Sequence, residues 1–194
     1  MQSTALNIIR EEHQALAAML RSLRMLAETA RRQDTPPPFE VLRAMLVYVD
    51  EFPERLHHPK EEALLFPRVR ARCPELATVL DRLQADHRAG TPRLRELEHA
   101  LLCWEALGTQ RRDAFVQALH HYVDFYLSHM ALEEREVLPA AERHLSAADW
   151  AELDAAFAAN QDPLVGHEPT EDYRPLFSRI LARAPAPVGL GPPA

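Results

Sequence analysis

The chain has 194 residues, with 29 acidic residues against 22 Lys and Arg and a formal net charge of −7 at pH 7. This length fits one domain with a sizeable core, and the acidic balance argues against nucleic acid and anionic membranes as partners. The five glycines and the abundant Ala, Leu, Glu and Arg favour helices. No apolar run reaches the length of a signal peptide or a membrane span.

Helical periodicity predicts four long helices in chain order. The first covers about 4–32 and ends before three consecutive prolines at 36–38, which no helix can cross. The second fills 39–72, the third 75–107 and the fourth about 111–144, and Gly108 closes the third. Pro53 and Pro59 lie inside the second helix, where we expect a kinked but continuous helix.

These four helices and their short connections predict an all-α fold, an up-down-up-down antiparallel four-helix bundle over residues 1–145. A short helical extension over 146–184 is expected to pack on the bundle, beginning with a capping box at Ser146–Asp149. A homodimer through this apolar extension is an alternative. The Pro-rich segment 185–194 is expected to form a mobile tail.

The two cysteines, Cys73 and Cys103, are expected to lie about 40 Å apart along the third helix. This separation is beyond the reach of a disulfide bond. The chain is therefore expected to be reduced and cytoplasmic.

One pattern, H-x-x-x-E-E followed by a proline ten residues after the histidine, occurs twice, 72 residues apart. The copies begin at His57 and His129, and the pairs Glu12-His13 and Asp86-His87 precede them by 44 and 42 residues. Around the three turns the histidines lie at matched distances, namely 22 and 22, 16 and 14, and 21 and 21 residues. In antiparallel helices these counts bring all four histidines to one level, with the glutamate four residues later on the same face.

The aligned residues predict a two-metal site with two imidazoles on each metal and two bridging carboxylates. The six predicted ligands are His13, His57, Glu61, His87, His129 and Glu133. A shell of imidazole and carboxylate without thiolate favours iron, as Fe²⁺ or Fe³⁺ with an oxo or hydroxo bridge, over manganese and zinc. Two carboxylates offset only half the charge of two divalent ions, so an oxygen species is the expected further ligand.

Several neighbouring residues are assigned other roles. Glu12 and Asp86 are expected at the surface, because adjacent helical residues point about 100° apart. Glu62 and Glu134 are expected to be solvated or to support the ligands, and they stay open as alternatives to Glu61 and Glu133. The other histidines are expected at the surface: His58, His99, His120, His121, His144 and His167. Glu54, from an E-x-x-H motif typical of ferritin-like proteins, stays open as an extra ligand.

With these motifs the chain resembles bacterial hemerythrin-like proteins of the HHE cation-binding type. The likeness rests on Glu12-His13, the stretch 57–67, Asp86-His87 and the stretch 129–139, and it covers about residues 1–145. Residues 160–177 are similar to the C-terminal extension of many such proteins. The resemblance implies a non-haem di-iron centre that binds O₂ or a related small species such as peroxide or NO.

The chain differs from oxygen-carrying hemerythrins, which have a further histidine four residues from the one that corresponds to His87. Here Leu83 and Thr91 stand at those positions. Three functions therefore stay open. The protein could bind a small ligand in sensing, storage or oxidative protection, it could be a di-iron enzyme that decomposes peroxide or acts as an oxidase, or it could be a structural or regulatory metal-binding bundle.

Overall fold

The structure, a computed structural model, describes residues 3–184 and 189–191, and within them the chain forms helices and no strand. Helix α1 spans Thr4–Gln33, helix α2 covers 39–72, and helix α3 spans Ala77–Leu107. Helix α4 covers 112–144, α5 spans Ala147–Phe157, and α6 spans Arg174–Arg183. Short 3₁₀ turns lie at Pro74–Leu76, Thr109–Arg111 and Pro163–Val165. The predicted tail, 185–194, lies largely outside the described residues.

Helix α2 is continuous, as predicted, but it absorbs its prolines by changing its hydrogen-bond register. Phe39–Val49, His58–Lys60 and Phe66–Arg72 are α-helical, whereas Asp50–His57 and Glu61–Leu65 are π-helical. Because proline lacks an N–H group and crowds the preceding turn, a wider turn accommodates it without ending the helix.

The same device recurs in helix α4, where Arg112–Leu132 is α-helical, Glu133–Val137 is π-helical and Leu138–His144 is α-helical again. The second π-helical stretch of α2 and the π-helical stretch of α4 both begin at the glutamate of the repeated motif. The carbonyl of Glu61 accepts from the N–H of Phe66, and that of Glu133 accepts from the N–H of Leu138. π turns inside α-helices are frequent at functional sites.

The apolar core is divided into two clusters by a layer of buried polar side chains. Along α1, Leu6 and Ile9 belong to the smaller cluster and Leu16 to the larger, with His13 between them. Helix α3 has the same order, with His87 at the division, whereas α2 and α4 run from the larger cluster to the smaller, with His57 and Glu61, and His129 and Glu133, at the division. The four long helices thus deliver the predicted ligands to one layer, as the residue counts predicted.

The segment after residue 145 packs against α1 and α2. The predicted capping box is present, with the Ser146 hydroxyl accepting from the Asp149 N–H and the Asp149 carboxylate accepting from the Ser146 N–H. Asp154 accepts from the Ala5 N–H at 2.7 Å, so α5 satisfies a donor at the start of α1. No helix in the described part of the chain is long and apolar enough to cross a membrane.

Candidate metal centre

The four predicted ligand histidines and both motif glutamates converge in the polar layer. Nε2 of His87 and Nε2 of His129 lie 3.1 Å apart. Nε2 of His57 lies 2.7 Å from Oε1 of Glu61, and Nε2 of His87 lies 3.4 Å from Oε2 of the same carboxylate. Glu61 therefore faces one histidine pair with each of its oxygens.

Glu133 occupies the matching position on α4. Its Oε2 lies 3.7 Å from Nε2 of His13 and 3.8 Å from Nε2 of His129. Two sets of donor atoms are each compact enough to hold a cation. They are His13, His57 and Glu61 in one set, and His58, Glu61, His87 and His129 in the other, with all atoms of a set within 4.8 Å of one another. Glu61 belongs to both sets.

A carboxylate from another helix faces the outer ring nitrogen, Nδ1, of each predicted ligand histidine. His57 Nδ1 donates to Glu12 at 2.6 Å, and His13 Nδ1 donates to Glu134 at 3.0 Å. In the second pair, Nδ1 of His87 lies 3.3 Å from Glu62, and Nδ1 of His129 lies 3.5 Å from Asp86. Because a carboxylate can only accept, the two hydrogen bonds keep the proton of His57 and of His13 on Nδ1 and leave Nε2 free to bind a metal. Nδ1 of His87 and Nδ1 of His129 have a carboxylate nearby but make no hydrogen bond among the described residues.

The expectation that Glu12 and Asp86 are ordinary surface acids is therefore wrong. Each does point away from the histidine beside it, as the helical geometry requires, but it points toward a histidine of the next long helix. Glu12 is 7% exposed and also accepts from the amide of Asn160. Glu62 and Glu134 face His87 and His13, which is the position expected of residues that support the ligands.

The centre contains buried polar atoms that the protein itself does not satisfy. Both oxygens of Glu61, both oxygens of Glu133 and Nε2 of His57 are buried and make no hydrogen bond among the described residues, because the short contact between His57 and Glu61 does not have hydrogen-bond geometry. Such groups are costly inside a protein unless something binds them. Neutral imidazoles and carboxylates are the donor set that divalent iron, manganese and zinc accept, so the residues present fit a metal centre.

Burial and the neighbouring carboxylates both shift the pKa values of these groups. Burial opposes the charge on His57, but the carboxylates of Glu61 and Glu12 outweigh it and raise the pKa of His57 well above its ordinary value. Burial lowers the pKa of His87 to about 2. Burial and the adjacent Glu61 carboxylate raise the pKa of Glu133 well above its usual range. Two adjacent buried carboxylates repel each other, and a cation between them would relieve this repulsion.

His58 is not at the surface, contrary to expectation. It is 5% exposed, and its ring stacks on that of His87 with centroids 4.2 Å apart. The corresponding position in the second copy of the motif is Met130. Because the histidine is not repeated, the comparison of the two copies does not indicate His58 as a ligand. Glu54, left open as an extra ligand, is also buried and lies 3.9 Å from Nδ1 of His58.

The chain that follows the four long helices contributes to one side of the centre. Asn160 donates from its amide to both oxygens of Glu12, at 2.8 and 2.9 Å, and accepts from Lys60. The ring of Phe157 lies edge-on to His57, with centroids 5.8 Å apart. A residue on this segment thus fixes the carboxylate that orients a predicted ligand.

Comparison with curated proteins gives no match. The model of the hemerythrin HHE cation-binding domain matches residues 4–141, which is most of the chain and includes all four long helices up to the end of the second motif. Together with the buried cluster of histidines and glutamates, this match shows that the chain belongs to the hemerythrin HHE cation-binding family.

Proposed function

We propose that the protein holds two iron ions at a carboxylate-bridged centre and binds O₂ or a related small species such as peroxide or NO there, in sensing, storage or oxidative protection. The six ligands of this proposal are His13, His57, Glu61, His87, His129 and Glu133. The observation that carries it is the sharing of Glu61 between two sets of buried donor atoms. Iron at this centre would supply one-electron redox chemistry.

The surroundings of the centre support two ions instead of one. Each histidine pair has its own acids at Nδ1, so both pairs are oriented toward the middle of the layer. Two divalent ions also balance the negative charge better than one. Besides Glu61 and Glu133, the four acids that face the Nδ1 atoms lie close to the centre. We assign Glu61 and Glu133 as the bridging ligands, and Glu62 and Glu134 as the residues that orient imidazoles.

A groove lies beside His13, at one side of the centre. This groove of about 270 Å³ is lined by His13, Ala17, Arg21, Met130 and Glu134, among other residues. Its volume is near that of binding sites for small molecules, and its arginine could attract an anionic species. We propose that small ligands reach the centre from this side.

The proposal includes the arrangement of the helices and the division of the chain. We propose that α1 to α4 form an up-down-up-down bundle over 1–145 and that 146–184 is an extension packed on it. The common layer of the four histidines supports this arrangement, since only alternating directions match the residue counts around each turn.

The test is iron reconstitution of the full chain under anaerobic conditions, followed by metal analysis and absorption spectroscopy before and after addition of O₂. We expect two irons per chain and an absorption change that reverses when O₂ is removed. The matched control is His144→Ala, an exposed histidine on α4, against His129→Ala on the same helix. One iron or none in the reconstituted protein would contradict the two-metal centre, and irreversible oxidation would contradict ligand binding.

A further inference from the structure

We propose that His58 is a fifth imidazole ligand of this centre and that it serves the metal held by His87 and His129. This inference rests on the proposed two-metal site. It would give that metal three imidazoles, whereas the metal at His13 and His57 would have two. The two ions of the centre would then differ in coordination.

The first argument is position. A donor atom of His58 lies within 4.8 Å of donor atoms of Glu61, His87 and His129, which are likewise within 4.8 Å of one another. Ligand atoms that surround one ion at about 2.1 Å are at most about 4.2 Å apart, so a small adjustment closes this set around a metal. His58 is the only member that the repeated motif does not predict.

The second argument is that His58, like the other four histidines, is buried and has a carboxylate beside Nδ1. It is 5% exposed, and Nδ1 is buried without a hydrogen-bond partner among the described residues. A buried carboxylate, Glu54, faces this nitrogen at 3.9 Å. In each of the other four histidines a carboxylate faces the same ring nitrogen, at 2.6 to 3.5 Å and from another helix, whereas Glu54 lies on the same helix as His58.

The position of Glu54 is itself built by neighbouring residues. The hydroxyls of Tyr126 and Thr91 donate to its carboxylate, the latter at 3.2 Å. Gly90 on α3 provides the space, because a Cβ atom there would collide with both Glu54 and Tyr126. Three neighbours on two other helices thus hold a carboxylate beside His58.

The alternative is that His58 only fills space by stacking between His87 and Tyr126, with centroid distances of 4.2 and 5.6 Å. His58→Phe separates the two roles, since phenylalanine keeps an aromatic ring for stacking but has no donor atom. His58→Gln provides a second variant of different shape. His144→Phe is the control, because His144 is exposed on α4.

The experiment titrates anaerobic Co²⁺, whose visible absorption reports coordination, into the metal-free full chain and the three variants, after circular dichroism has shown that each is folded. We expect two Co²⁺ per chain in the wild-type and control proteins. In both His58 variants we expect the second Co²⁺ to bind at least about ten-fold more weakly, with a changed spectrum.

Two Co²⁺ bound to either variant with unchanged affinity and spectrum would overturn the assignment of His58 and leave the six-ligand centre intact. Fewer than two Co²⁺ in the wild-type protein would instead overturn the two-metal centre, and the assignment of His58 with it. The two failures are therefore distinguishable within one titration series.

Discussion

The two copies of the H-x-x-x-E-E motif share their helix geometry and candidate ligands but differ in the residues around them. In each copy the glutamate begins a π turn, a proline follows, and a carboxylate from another helix faces the histidine. The residue after the histidine is His58 in one copy and Met130 in the other, and the residue three positions before it is Glu54 or Tyr126. The repeated residues therefore provide the same histidine and glutamate in both copies. The residues that are not repeated make the two sides of the centre different.

The support given to each copy also differs. Glu12 lies 2.6 Å from Nδ1 of His57 and is held by Asn160, whereas Asp86 lies 3.5 Å from Nδ1 of His129 with its side chain 20% exposed. A buried hydrogen bond to a charged group contributes more than a solvated one. The imidazole of the first copy is thus the more firmly oriented.

The largest effect is expected from Glu61, the residue common to both sides of the centre. Glu61→Gln should remove both irons, because it deletes a carboxylate that faces both histidine pairs. Metal analysis after reconstitution measures this directly, and Glu96→Gln, at an exposed acid on α3, is the control. Retention of two irons by Glu61→Gln would show that Glu61 is not a ligand shared by the two metals.

The acids behind the histidines should affect the two copies unequally. Glu12→Gln is expected to lower metal affinity about 10- to 100-fold, as loss of a carboxylate behind a ligating histidine does. Asp86→Asn should cost less, since its contact with His129 is longer and partly solvated. Competition with a chelator gives both affinities. An equal loss in the two variants would contradict the difference between the copies.

Metal affinity should fall as the pH falls below neutrality. The pKa of His57 is raised well above its ordinary value when no metal is present, so this imidazole must release a proton before it can bind. Lower pH favours the protonated form, and the affinity should drop by up to about tenfold per pH unit for one displaced proton. Titrations between pH 6 and 8 test this, and an affinity independent of pH would contradict it.

The smallest effect is expected from the segment after α4, which supports only the first copy. Asn160→Ala removes two hydrogen bonds to Glu12 and should reduce metal affinity only a few-fold, with a loss of about 1 to 2 kcal/mol in the free energy of unfolding. Chemical denaturation and chelator competition measure the two effects. His167→Ala, at an exposed residue of the same segment, is the control. An affinity identical to the wild-type value would show that the segment has no part in the centre.

Much of the fold could be predicted because it depends on periodic signals. The ends of α1 and α3, the continuity of α2 and the capping box at Ser146 follow from prolines, Gly108 and helical spacing. The π turns could not be predicted, since a proline inside a helix indicates a disturbance but not which hydrogen bonds change. Helix α3 begins at Ala77, two residues after the expected residue 75, and this difference shows the usual uncertainty of helix ends.

The candidate site divides in the same way. The four histidines and two glutamates could be found because they are repeated and lie at matched distances from the turns. Glu12 and His58 could not be assigned, because their positions depend on which neighbouring helix each side chain faces. That information belongs to the packing of the helices and not to the spacing along any one of them.

The central claim is that two metals lie in one layer, one beside each histidine pair. Anomalous diffraction at the iron absorption edge, from crystals of the iron-reconstituted full chain, tests this claim most directly. The account predicts two iron peaks, one between His13 and His57 and one between His87 and His129, with Glu61 in contact with both. A single peak, or iron bound outside this layer, would contradict it.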